Sequence, residues 1–101
     1  MLFKKTQLND PQHSKLIQDK SYYLYLIESI PDGIPYVGMA TDPEKRLFEH
    51  NQGKSKFTCG HVPWRIIYVE FAGNTIEARA MEKYYKSAPG RRKIAKLFPK
   101  Q

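Results

Sequence analysis

The chain contains one cysteine, Cys59, so no internal disulfide can form, and the expected setting is a reducing, cytoplasmic one. No apolar run approaches the ~20 residues that would span a bilayer, and the opening MLFKKTQLNDPQHSK lacks the unbroken apolar core of a secretory signal. No membrane association is therefore expected. Internal repeats and low-complexity tracts are missing, which sets aside solenoid and linker architectures. So is any glycine-rich loop of the kinds that cradle nucleotide phosphates. Acidic residues are scarce, with 10 Asp and Glu against 17 Lys and Arg, for a net charge of +7. Such an excess attracts polyanions over long range, although it also serves a merely soluble surface. The 101 residues, 41% hydrophobic and 13% aromatic, suffice for one folded domain with a modest core.

Residues 1–20 are polar and aperiodic, and read as an amino-terminal extension with at most a short helix near Ser14 to Asp19. Tyr22 to Ser29 is apolar on both alternating faces, as a strand buried on two sides would be. Ile30-Pro31-Asp32-Gly33 then supplies turn chemistry, and Ile34 to Met39 returns as a shorter strand. Pro35 on that second strand cannot donate to a ladder, which places it at an edge. A helix starts near Thr41-Asp42-Pro43-Glu44, capped either by Asp42 ahead of Pro43 or by a Thr41–Glu44 box, and ends by Gly53. Leu47 and Phe48 form its apolar side, while Arg46 and His50 share another face.

Lys54 to Pro63 reads as a loop and Trp64 to Phe71 as a third strand. A second helix spans about Ile76 to Ser87, with Ala78, Met81 and Tyr85 as its core stripe and Glu82 at the margin. A last helix begins near Pro89 and turns Ile94, Leu97 and Phe98 inward. The order predicts an α+β domain over residues 21–98, a three-stranded, mainly antiparallel sheet flanked by helices, with a tail at 99–101.

Taken singly, the polar and aromatic residues of these elements have ordinary explanations. Tyr25 and Tyr36 suit a strand core, Arg46 and His50 a solvated helix edge, and Glu82 a salt-bridge ladder with Arg79 and Lys86. Cys59-Gly60-His61 is half a metal site without a second pair at ligand spacing, so zinc is not expected, and nothing activates Cys59 as a nucleophile.

Together they form a pattern. Tyr23-Leu24-Tyr25 is followed after ten residues by Tyr36-Val37-Gly38; Arg46 lies eight past that glycine, His50 four further, and Glu82 on a downstream helix. This resembles the GIY-YIG nuclease family over about Tyr22 to Phe98, and its small single-domain branch in the strings EHNQGK and EARAMEKYYK. Tyr23 departs from the glycine of the family's name, but Tyr25, the tyrosine that matters there, is present.

The resemblance implies an endonuclease hydrolysing phosphodiester bonds in DNA, rather than RNA, with one Mg2+ or Mn2+ ion. Glu82 would hold the metal, Arg46 would bind the scissile phosphate, and Tyr25 and Tyr36 would line the site. His50 would transfer a proton or hold the nucleophile, and Lys86 would support Glu82. These residue types suit the chemistry. A guanidinium fork fits phosphate, and a magnesium-like ion that keeps its waters can be held by one carboxylate, which argues against two metals. A phenol beside Arg46 and a cation is expected to have a lowered pKa and to accept a proton; among Tyr25, Tyr36 and His50 the sequence does not choose. Lys54, Lys56, Arg65, Lys83, Lys86, Arg91 and Arg92 are the candidate nucleic-acid track. Two further readings stand beside this one. The first is a non-catalytic nucleic-acid-binding module of the same fold that relies on a repair or recombination partner for specificity. The second is an interaction protein using exposed aromatics.

Overall fold

The computed structural model describes residues 20–99. The extension and its short helix, apart from Lys20, and the tail beyond Pro99 lie outside the described residues. The elements are β1 (Tyr22–Ser29), β2 (Pro35–Ala40), α1 (Pro43–Asn51), β3 (Trp64–Gly73), α2 (Thr75–Lys86) and α3 (Ala88–Leu97). The sheet runs β2-β1-β3 with both pairings antiparallel, the α+β arrangement expected.

β1 is the middle strand, which is why both of its faces are apolar. Leu24 and Leu26 pack to one side with Val37 of β2 and with Ala78 and Tyr85 of α2; Ile94 and Phe98 complete that side. Tyr25 and Ile27 pack to the other side with Trp64, under Leu47 of α1. Each aliphatic side chain fully removed from water contributes roughly 1.5–3 kcal/mol, so this strand carries much of the core. β2 is an edge strand, which accommodates Pro35 without a lost ladder bond. In the turn before it, Gly33 has φ 71° and donates its N–H to the Ser29 carbonyl at 2.7 Å.

Of the two helix starts the sequence allows, the Asp42–Pro43 form is realised: the Asp42 carboxylate accepts from the Lys45 N–H at 3.1 Å. β3 runs on to Gly73, and Asn74 caps α2 in a reciprocal box with Glu77.

Three expectations are corrected. Phe48 is 62% exposed, because α1 buries its Leu47 and His50 side and Phe48 points away from it. Leu97 is 51% exposed, since Ile94 and Phe98, four apart, take the inward side of α3. Within the expected loop of Lys54 to Pro63 there is a 3-10 turn, Thr58–His61. That turn matters for the site. The Asn51 side chain clamps Trp64 in both directions, accepting its N–H at 2.7 Å and donating to its carbonyl at 3.1 Å. The end of α1, the turn and the start of β3 are thereby held together.

Candidate active site

The site is built around the hydroxyl end of Tyr25. In the β1–β2 register Tyr25 lies opposite Gly38, and a Cβ at Gly38 would overlap the Tyr25 hydroxyl oxygen and Cζ. The glycine of the second tripeptide therefore provides the space that the tyrosine of the first one fills. On its other side the Tyr25 hydroxyl lies 2.9 Å from His50 Nε2. His50 Nδ1 in turn lies 2.7 Å from the Thr58 hydroxyl, which donates to the Ser55 carbonyl at 3.5 Å. Trp64 Nε1 donates to the Thr58 carbonyl at 2.9 Å and fixes that residue. Tyr25 is 2% exposed, and His50 and Thr58 are not exposed at all. His50 is thus a buried link in a hydrogen-bonded chain, not part of a solvated helix edge.

The other candidates lie within electrostatic reach of the same hydroxyl. Arg46 lies against it, and Tyr36 and Glu82 are near enough to act on its ionisation. A lowered pKa is expected beside Arg46 and a cation together; with the protein's own groups alone the direction is upward. Burial is the largest influence, Tyr36 adds to it, and together they outweigh the guanidinium of Arg46, so the Tyr25 phenol is pushed up to about 12. Burial, with the charge of Arg46, pushes the His50 imidazole down, so it rests neutral. The Tyr36 ring is 5.3 Å from the His50 ring and 5.9 Å from Phe57, nearly parallel to the latter at 22°. Lys86 Nζ stands 5.4 Å from the Tyr36 centroid and 3.3 Å from Glu82 Oε2. Arg46 Nη1 is bound to Glu49 Oε1 at 3.0 Å.

The basic residues fall into two sets. Lys86 and Arg91 share a groove with Tyr36. Lys54, Lys56, Lys83 and Arg92 are exposed, and Arg65 is bound to Glu28 at 3.0 Å. No group of three or more His, Cys, Asp or Glu able to hold a metal ion occurs among the described residues. Cys59 is an exposed free thiol donating to the Lys56 carbonyl at 3.1 Å. Thr58 and Phe57 went unnoticed in the sequence. Only their distance from His50 and Tyr36 in space marks them, and the loop around them has no period that would announce it.

A strand-paired Tyr25 and Gly38, with arginine, histidine and a helical glutamate gathered at the phenol, define a class. The chain belongs to the GIY-YIG family: the model of the GIY-YIG catalytic domain matches residues 21–95. The domain is of nuclease type, which carries with it the binding of nucleic acid. Among curated proteins the chain is similar to a UPF0213 protein of Streptococcus pneumoniae, 36% identical over 67% of this chain and 69% of the relative. It is also similar to one of Bacillus licheniformis, 37% identical over 69% of this chain and 72% of the relative, and to one of Clostridium perfringens, 32% identical over 77% and 84%. No solved structure matches with significance. Among the described residues, no helix is long and apolar enough to cross a membrane.

Proposed function

We propose that the protein is a divalent-metal-dependent endonuclease acting on DNA. The observation that carries this is the buried hydrogen bond between the Tyr25 hydroxyl and His50, with Arg46, Tyr36 and Glu82 near enough to that hydroxyl to act on its ionisation. Glu82, partly open to solvent, would hold a hard cation with its one carboxylate, and water and phosphate oxygens would take the remaining positions, as a magnesium-like ion prefers. When bound, such an ion supplies charge against the oxygens that gain negative charge during attack.

The protein's own groups have separable tasks. Arg46 grips a non-bridging phosphate oxygen with a permanently charged fork. The Thr58 hydroxyl gives its proton to the Ser55 carbonyl, so its oxygen accepts Nδ1–H of His50. That leaves Nε2 as an acceptor for the Tyr25 O–H. A proton leaving the nucleophilic water passes to the Tyr25 oxygen as the Tyr25 proton moves to His50 Nε2. His50 is sealed from solvent and works only through Tyr25. The raised pKa of Tyr25 is consistent with a phenol that relays a proton without resting as phenolate.

The test is cleavage of labelled single-stranded, duplex, flapped and branched DNAs with magnesium or manganese. Glu82→Ala and Arg46→Ala should each lower the rate by about a hundredfold or more, the usual effect of removing one group that stabilises transition-state charge. Intact salt-sensitive binding without any cutting by the wild type would replace this reading with the non-catalytic module.

A further inference from the structure

Beside the phenol site lies an open groove of about 630 Å³, within the ordinary size range of ligand sites. It begins at Tyr36 and Phe57 and continues over Ile67, Ile94 and Phe98 between the β2 edge and α3. Lys86 and Arg91 supply its positive charge, and the remaining charged lining group, Glu28, is bound by Arg65. We infer that this groove binds an unstacked base of the nucleotide next to the scissile phosphate, which makes the preferred substrate an unpaired strand. The inference rests on the nucleic-acid reading above and deepens it.

Three observations select this occupant over a peptide or a second copy of the chain. The groove shares Tyr36 with the phenol site, and its Lys86 is bound to Glu82, so what fills it adjoins that site around the β2 edge. Its aromatic wall has an open face: Phe57, 53% exposed, lies nearly parallel to Tyr36, and a base can extend that stack. The cations at Lys86 and Arg91 complement the backbone on either side of a base, while Ile67, Ile94 and Phe98 offer a floor with no hydrogen-bond demands. A base within duplex is committed to its neighbours and cannot enter without leaving the stack. Backbone charge alone would favour no such strand, since it is met equally well by duplex.

The experiment is fluorescence anisotropy of the full chain with a chelator present, so that binding is read without cleavage. The probes are a thymidine strand, an abasic strand of equal length, and a duplex. The thymidine strand should bind about tenfold more tightly than the abasic one, the range that base–aromatic stacking supplies, and more tightly than the duplex. Phe57→Ala and Ala95→Gln, both at exposed positions and neither changing the charge, should erase the difference between thymidine and abasic strands while leaving the abasic affinity within about threefold. Equal binding of thymidine and abasic strands by the wild type would overturn the inference, as would unchanged preference in both variants or preference for duplex. The nuclease reading is judged separately, by metal-dependent cutting, and can survive any of those results.

Discussion

Gly38→Ala tests the central joint of the site. The added methyl has nowhere to go, because its ideal position overlaps the hydroxyl oxygen and Cζ of Tyr25. Tyr25 cannot swing aside, being 2% exposed and hydrogen-bonded to His50 at 2.9 Å. Forcing a methyl into a filled interior costs about 1–3 kcal/mol, which in a domain of this size lowers the melting temperature by about 10 °C. The informative comparison is a cycle with Tyr25→Phe. In the wild type, Tyr25→Phe strips His50 Nε2 of its partner in a fully buried setting and should cost about 1–3 kcal/mol. In the Gly38→Ala background the same change removes the overlapped oxygen, so it should be neutral or stabilising, with relief incomplete because Cζ remains.

Urea denaturation of the four proteins reads the coupling directly. Additivity within about 0.5 kcal/mol would refute the account, since it would mean that the two residues do not compete for one space. Metal-dependent cutting should fall in Gly38→Ala with the hydrogen bond it disturbs, and neither background should recover it through Tyr25→Phe. Stability and activity would then part company in the double variant, as expected if the phenol oxygen serves chemistry and the ring serves packing.

The remaining predictions concern the groups behind and around that phenol. Thr58→Val keeps the shape but leaves His50 Nδ1 unpaired and frees its tautomer; cutting should drop about tenfold and urea denaturation should show a loss of about 1–3 kcal/mol, and Thr58→Ser should restore both. Burial and Arg46 hold the His50 imidazole below its ordinary pKa, so the unfolded chain takes up its proton first as pH falls. Stability from this group is therefore complete above about pH 6.5 and declines below it, by at most about 1.4 kcal/mol per pH unit; chemical denaturation at stepped pH should show that His50→Gln loses the slope. Asp42→Ala removes the cap of α1 and should cost about 1 kcal/mol in urea denaturation, leaving the pH profile of cutting unchanged.

Much of this architecture could be read in the residues because local signals and tertiary demands agree. The two-faced run Tyr22 to Ser29 reads as a strand buried on both sides and is the middle one, Pro35 marks an edge, and Asp42 with Pro43 starts a helix. Tyr25, Tyr36, Arg46 and Glu82 were marked by the family resemblance, and the structure sets the last three near enough to Tyr25 to act on its ionisation. What stayed hidden was set by packing in three dimensions. That His50 faces inward depends on Thr58 and on the clamp between Asn51 and Trp64, residues that share no period with it. The rise in the Tyr25 pKa follows from burial, which a pattern of charges in sequence cannot weigh against Arg46. Phe48 and Leu97 were assigned inward from apolarity alone, although short helices spend only a narrow stripe on the core.

The charges of the site are arranged differently from its proton chain, and the difference bears on how a substrate enters. Arg46 is held by Glu49 within α1 and Glu82 by Lys86 within α2, both pairs partly open to solvent. Pairs of that kind contribute at most about 1 kcal/mol, so a phosphate can displace Glu49 from Arg46, and a cation Lys86 from Glu82, at small cost. Displacing Lys86 also releases an ammonium beside Tyr36, on the rim of the groove where the next phosphate would run. Tyr25, His50 and Thr58 have no such freedom, because breaking either of their links leaves a polar atom unpaired in the interior. Under the proposed function, substrate binding would be an exchange of weak surface ion pairs around a hydrogen-bonded chain that does not move. Neutralising Glu49 should accordingly tighten DNA binding without altering the pH dependence of cutting.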